Sequence, residues 1–461
     1  MNYLDYFSPA QRPVEACVIG SGGFGRSFIA QGLRVPLMNV RVAVDIDAAV
    51  AAKSFVAVGI APDEVAVCAS PDAAARAWAD GKYVAAADFD VVAGLPLDVI
   101  VEATGNPEAG ARHARMAIES ARHLALVSKE VDSVIGPYLA ALARRRGKVA
   151  TPVDGDQPSL LIGLITWAQT LGFEIIAAGK SSEYDFVFDE ASGALVCNGK
   201  THDLPALSAL MNVGERTAVD AARERARACA ALPQRAVPDL CELLVVANST
   251  GLVPDRPDLH APIARIPEAP ELFAPKAEGG LLGQNGALDV FHCLRRPEEA
   301  SFAGGVFIVV RCDDAPTWKL LEEKGHLVSR DGRRAMLFTP RHLLGLEAAT
   351  SVLEAAVHGR SCGAREPRPR LDLTARATRR LVAGSPLAMG GHHHTIDGAN
   401  AELHPARPLA PENPVPFYLA ANRRLARDVE AGALLTLADV EIDPASELLA
   451  LRKRQDAHFL S

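Results

Sequence analysis

The segment Val14–Gly25, VEACVIGSGGFG, constrains the chain more than any other. A short apolar run ends in Gly-x-Gly-x-x-Gly, and the helical spacing of Phe28, Ile29 and Leu33 follows. Strand, tight turn and helix is the arrangement this order predicts. Gly20 allows the turn and Gly22 lets backbone approach a pyrophosphate. Gly25 lets the helix pack close to the strand, and the N–H groups around Gly23 and Phe24 face the phosphates. The next strand, NVRVAVDID, places Asp45 twenty positions after Gly25. A carboxylate there accepts hydrogen bonds from ribose hydroxyls and repels a 2′-phosphate. No arginine directly follows it, so the expected cofactor is NAD, with NADP as the alternative.

The alternation continues through YVAAADF (83–89), LDVIVEATG (97–105), HLALVSKE (123–130) and KVATPVD (148–154). Helices are expected from Pro107 to about Arg122 and near Val134–Arg146. Strand and helix in repeat predict an α/β fold, a Rossmann doubly wound parallel sheet. Ligands bind beyond the carboxyl ends of such strands. Thr104, Gly105, Asn106 and Ser128 are therefore expected near the nicotinamide half, with Lys129, Glu130 and Asp156 beside them. The 461 residues suggest about three domains. Acidic residues outnumber basic ones, 56 to 48, which argues against nucleic acid or an anionic membrane as partner. No apolar run reaches membrane-spanning length, and the N-terminus lacks a signal-peptide pattern. The eight scattered cysteines form no CxxC. They read as reduced thiols, and the expected location is cytoplasmic.

Several motifs extend this reading: GSGGFG, DVIVEATGNPEAG, VSKEVDSVIGPYL, DGDQPS, EIIAAGK, VVANSTGLVPD, PKAEGGLL and PRHLLGLE. In this order the chain resembles the reductases related to homoserine dehydrogenase, most closely the deoxyxylulose-phosphate reductoisomerase-like branch. The resemblance implies a cofactor domain at 1–155, an α+β catalytic domain at 156–363 and a small β-rich domain at 364–461. Two features depart from the branch. Its isoprenoid enzymes use NADPH, against which Asp45 speaks. Lys129 falls where homoserine dehydrogenases carry a strand-end lysine, whereas reductoisomerase-like members have a polar residue.

In the middle third, FEIIAAGK predicts a strand ending at Lys180, where an ammonium group can protonate a developing alkoxide. Residues 181–240 read as an insertion without a catalytic constellation. LCELLVVANSTG predicts a helix capped by Gly251, with Asn248 either part of that end or aimed at a substrate hydroxyl. Lys276 and Glu278, before Gly279-Gly280, suit a loop over an anionic ligand. Arg341 and His342 are expected to open a helix whose N-terminus attracts anions. Glu130, Asp132, Asp154, Asp156 and Glu278 offer oxygens to a divalent metal, although no spacing establishes one. His392-His393-His394 lies in a Gly-rich stretch and is expected to be solvent-exposed.

Beyond the linker AREPRPR (364–370), two Ala-x-Arg-Arg-Leu stretches resemble the β-clip of SAF-type domains, which cap active sites or mediate homo-oligomers. Arg452-Lys453-Arg454 reads as a solvated tail. The expected function is an NAD(P)-dependent oxidoreductase. It moves hydride to or from a small polar hydroxy/oxo substrate, phosphorylated or acidic. The alternatives are an isomerase or lyase that uses bound NAD transiently, and a non-catalytic nucleotide-binding redox sensor.

Overall fold

The computed structural model describes residues 2–391 and 393–460. Seven strands form the first sheet: β1 (Val14–Ile19), β2 (Met38–Val44), β3 (Val65–Cys68), β4 (Tyr83–Ala86), β5 (Val99–Glu102), β6 (His123–Leu126) and β7 (Ala150–Pro152). Their order is β3-β4-β2-β1-β5-β6-β7, and every pairing is parallel. This is the Rossmann-type doubly wound sheet that the alternation predicts. The strands are shorter than their apolar runs suggest, because the last residues of each run turn outward as loops. The strand β3 has only four residues, VAVC, too few to register as a pattern.

One face of this sheet buries Cys17, Ile19, Val42 and Ile100 under the helices Pro107–Glu119 and Lys129–Arg145. The second helix starts five residues earlier than its apolar spacing suggests, which puts Lys129 and Glu130 in its first turn. The other face buries Val18, Val40 and Val101 with Phe28 and Phe55. Val352 and Leu353, from far along the chain, complete that layer.

The second sheet is built on β8 (Ile175–Asp189), a strand of 15 residues. Ala287–Arg295 runs parallel to it on one side and Val306–Arg311 antiparallel on the other. The helices Gln157–Thr170 and Val237–Thr250 cover one face. Phe273, Phe291, Phe302 and Phe307 pack on the opposite side, with ring centroids 5.0–6.4 Å apart. Val237–Thr250 is buried from Val237 through Asn248, as an apolar helix enclosed by protein must be. Gly251 caps it at φ +83°, as expected.

The strand does not end at Lys180. Tyr184, Phe186 and Phe188 are buried in alternation beyond it, so the period-2 pattern carries the strand through the Ser-Ser-Glu stretch. Asp239 supplies what a turn would have supplied: it accepts from Ser182 Oγ (2.6 Å) and from the Glu183 N–H (3.1 Å).

The C-terminal segment pairs Leu371–Ala377 with Ala399–Pro405 in a small antiparallel sheet. The chain then closes with a helix, Glu447–Phe459, packed on Lys129–Arg145. Gln455 replaces a helical hydrogen bond of that neighbour. Its Oε1 accepts from the Tyr138 N–H (3.2 Å) and its Nε2 donates to Val134 O (2.8 Å), next to Pro137. The expectation of a solvated basic tail holds for the exposed Lys453 and Arg454 and is corrected at Arg452. Arg452 is fully buried, bonded to Asp372 at 2.5 and 2.9 Å and to Asp456 at 2.7 Å. A buried guanidinium needs such partners. Among the described residues all eight cysteines are free thiols, six of them buried. No described helix is long and apolar enough to cross a membrane.

Candidate active site

The glycine turn is tight where sterics demand it and open where a ligand would lie. A Cβ on Gly20, at φ +95°, would stand 2.5 Å from Ala103 O, and one on Gly25 would stand 2.0 Å from Gly20 O. Above Gly22 and Gly23 a Cβ would meet nothing within 4 Å. The helix Gly23–Gly32 begins there with no side-chain cap, so its first N–H groups are left for an anion. Asp45 leaves β2 beside this turn and accepts from the Ser21 N–H (2.8 Å) and Ser21 Oγ (2.5 Å). Ile46 next to it is 95% exposed, an apolar surface beside the carboxylate. Beyond the neighbouring β5, the Gly105 N–H donates to Ser128 Oγ (2.9 Å) and Thr104 Oγ1 to Glu102 Oε1 (2.5 Å). Asn106 caps its helix through Glu108 N and Ala109 N. These three side chains shape the turn beyond β5.

A buried ion cluster lies just past β6. Glu242, in the middle of Val237–Thr250, bridges two lysines: one oxygen meets Lys129 Nζ and the other meets Lys180 Nζ. Lys180 also contacts Asp239 Oδ1 at 2.9 Å and Glu183 Oε1 at 3.4 Å. Burial alone would lower both lysines. Asp156 and Glu242 around Lys129, and Asp239 and Glu242 around Lys180, more than reverse this, so both ammonium groups stay charged. Glu130 is pushed up to about 7, by burial first and further by Asp156 and Glu102, against the pull of Lys129. The two lysines differ in access. The Lys129 side chain keeps 21% of its surface and Lys180 only 1%. The sequence singles out Lys180 as the proton donor, but the structure places it behind Glu242. Lys129 is the more exposed of the two.

A strut joins this cluster to the glycine turn. Gly345 lies against the first helix: its N–H donates to Ser27 Oγ (3.1 Å), and a Cβ there would stand 2.5 Å from Phe24 O. Leu344 precedes it at φ +54°, with its carbonyl against Gly155. Three residues before Gly345, His342 packs on Gly304 within the field of Asp156, Lys180 and Lys129. Burial keeps its imidazole below the ordinary value, and its Nδ1 is buried without a hydrogen-bond partner. The helix expected from Arg341 begins only at Ala349 and runs to His358; an irregular stretch and a 3-10 turn occupy its expected start, so Arg341 and His342 do not open it.

Other expectations fail for identifiable reasons. Asn248 does not reach the cluster; its Oδ1 accepts from the Arg370 N–H (2.8 Å) and its carbonyl from the Arg368 N–H (2.9 Å), clasping the linker. Glu278 is held by Arg311 (3.0 Å) and Arg334, and Arg311 also meets Glu174, just ahead of β8, so Glu278 is engaged away from Lys180. Lys276 shares the short turn of Glu278 and is likewise remote from the cluster. Among the described residues, no group of three His, Cys, Asp or Glu side chains is arranged to hold a metal. Asp132 is pushed up to about 7 by burial, Asp154 is bound by Ser159 and Thr350, and Asp156 caps Gln157–Thr170. The two described histidines of the run, His393 and His394, are partly buried, not solvent-exposed as expected. His392 lies outside the described residues. The His393 ring lies 4.5 Å from that of Tyr184, and His394 Nδ1 stands 2.9 Å from the Tyr418 hydroxyl and 3.8 Å from Glu130 Oε1. The sequence reading missed Glu242, Asp239 and Glu183. The last two fall in the stretch read as lacking chemistry. One visible sign was a pair of acids three residues apart, Asp239 and Glu242, at the start of a helix that is otherwise largely apolar.

Residues 155–348 match the family model described as oxidoreductase DRL, catalytic domain. No curated protein matches the chain. Solved structures with a similar arrangement include GenD2 from gentamicin A biosynthesis in complex with NAD: 19% identity, 39% of this chain, 45% of that one, TM-score 0.26. Another is myo-inositol dehydrogenase from Lactobacillus casei with NAD(H) and myo-inositol: 13% identity, 39% of this chain, 47% of that one, TM-score 0.27. A third is an oxidoreductase from Agrobacterium radiobacter with NAD+, L-tartaric acid and magnesium: 15% identity, 39% of this chain, 46% of that one, TM-score 0.27. The chain spans less than half the length of each. The sheet order defines a Rossmann-type α/β fold. The segment that follows the first sheet, residues 155–348, is similar to the catalytic domain of the oxidoreductases described as DRL.

Proposed function

We propose that the protein is an NAD-preferring oxidoreductase acting on a small polar hydroxy/oxo compound. The observation that carries this reading is the position of Lys129: charged, partly open, and one residue past the Ser128–Gly105 contact at the carboxyl ends of β5 and β6. A bound nicotinamide would supply or accept the hydride. The chain's part is to hold the diphosphate over Gly22 and Gly23, to hold the ribose at Asp45, and to hold a proton at Lys129 Nζ. On carbonyl reduction that ammonium group donates to the oxygen, and on alcohol oxidation the amine takes the proton back. Glu242, backed by Lys180, fixes the lysine in place. A neutral amine left on Lys129 faces enough carboxylates to be reprotonated.

The reductoisomerase-like or homoserine dehydrogenase-like relationship, the SAF-like character of the C-terminal unit and homo-oligomeric assembly stay part of the proposal. A phosphate or carboxylate on the substrate would find the exposed Arg341 beside His342. The carboxylates around the two lysines favour a substrate rich in hydroxyls over one that is mainly anionic. The test is calorimetric titration with NAD and NADP, then NADH formation with a panel of polyols, sugar acids and sugar phosphates. NAD binding with net NADH formation supports the reading. NAD binding with product formed and no net NADH would favour an isomerase or lyase, and no turnover on any member would favour a sensor. Absence of binding by either dinucleotide overturns the proposal.

A further inference from the structure

The edge of the first sheet opposite the glycine turn holds a second cleft, with a volume of about 650 Å³. One wall is the loop that leads from the helix Lys129–Arg145 into β7, and the other is the stretch from His358 to Arg365. All pairings in this sheet are parallel, so the amino end of β7 lies on the far edge from the turn that follows β1. Arg144 and Lys148 stand on the first wall, and Arg360 and Arg365 on the second. No Asp or Glu is among the lining residues. The chain carries a formal net charge of −8, so four cations around one cleft run against its composition.

These cations are not needed to close the helix. The carbonyls of Ala143 and Arg144 already accept from the backbone N–H groups of Arg146, Gly147 and Lys148. Among the described residues, Lys148 and Arg365 make no side-chain hydrogen bond or ion pair. Arg144 meets Glu366 at 3.3 Å, but the two side chains are 43% and 56% exposed, where such a pair is weak. Arg144 also donates to the Arg365 carbonyl (3.3 Å), which ties the walls together. The second wall is held from behind by Tyr6. Its carbonyl accepts from His358 Nε2 (2.9 Å), and its hydroxyl accepts from Arg360 Nη1 (3.4 Å) and donates to Glu354 Oε2 (3.1 Å). Glu354–His358 is a π-helical turn, a rare form that recurs at functional sites. A Cβ on Gly147 or on Gly359 would meet nothing within 4 Å, so the backbone of both lips is open.

We propose that this cleft binds a small polyanion, a molecule with at least two phosphate or carboxylate groups. Guanidinium groups pair with such oxygens in bidentate fashion, and cations on two facing walls call for more than one anionic group. The volume falls within the range of small-molecule sites, roughly 300–1,000 Å³. No Phe, Tyr or Trp lines the cleft, so nothing there stacks a nucleotide base. None of these residues belongs to the glycine turn or the lysine cluster, so the site stands or falls apart from the oxidoreductase reading.

Calorimetric titration at low salt tests this, with inorganic pyrophosphate in one arm and citrate in the other. Binding in either arm should weaken on the order of tenfold or more in Lys148→Gln/Arg365→Gln. The arm that responds says whether phosphate or carboxylate is recognised. Neither substituted side chain has a partner to lose, so the unfolding midpoint without probe should stay where it is. Arg360→Gln alone should weaken the same probe severalfold. Absence of binding in both arms overturns the proposal. Binding that the double variant retains overturns it too, because the probe then sits elsewhere, as pyrophosphate would at the glycine turn.

Discussion

The glycine turn and the lysine cluster both lie beyond the carboxyl ends of the parallel strands, after β1 and β6, and are built in opposite ways. The turn comes from twelve consecutive residues, and its chemistry is backbone N–H groups and empty space above Gly22 and Gly23. The cluster gathers Lys129, Lys180, Asp239 and Glu242 from three separate elements, and its chemistry is side-chain charge taken out of water. A local device tolerates changes elsewhere in the chain. A device assembled from distant parts depends on every packing contact that delivers them.

That contrast can be broken experimentally, starting where the effect is largest. Lys180→Met leaves Glu242 and Asp239 with one fewer cation in a buried setting, and should cost about 3–5 kcal/mol of stability. Denaturant unfolding measures it; an unchanged midpoint would mean the cluster is wetter than its burial implies. Lys129→Gln should leave the fold in place and lower turnover on the order of a hundredfold, about 2.7 kcal/mol. Steady-state kinetics on a panel substrate reads this, and near-normal kcat would move the proton donor elsewhere. Asp45→Ala acts on the local device alone. NAD affinity should fall about tenfold and NADP gain relative to it, with no change in Lys129 chemistry; calorimetry with both dinucleotides decides.

A further effect is read as a slope against pH. Burial raises the Asp132 carboxyl from 3.8 to about 7, so the folded state holds its proton more tightly than the unfolded chain does. This contribution is full below the ordinary carboxylate range and is lost as pH rises through about 7. Asp132→Asn should flatten that decline in the urea midpoint between about pH 4 and 7. A parallel curve would place the charge in water.

The sequence makes the turn legible for the same reason that it is local. Each glycine has a steric duty that can be argued from spacing alone, and Asp45 follows at a fixed interval. Lys129 was visible because it ends an apolar strand. Glu242 was hidden by its helix: nothing in LCELLVV says which partner an acid will meet. Lys180 was assigned the leading role because Ser-Ser-Glu imitates a turn. Only the Asp239 contacts reveal that the strand continues. Asn248 and Glu278 carried the right chemistry to the wrong places, since one secures the linker and the other neutralises arginines.

The short stretch around Gly345 has a wider consequence. It belongs to the middle of the chain, yet it lies on the helix that opens the nucleotide turn, and Val352 and Leu353 beyond it fill that layer's interior. The N-terminal portion is therefore no detachable cassette. Grafting it onto another enzyme would expose an unfinished hydrophobic surface and remove the brace beneath its own entrance. An engineer who wants to exchange coenzyme preference should edit residues in place and leave the modules unshuffled.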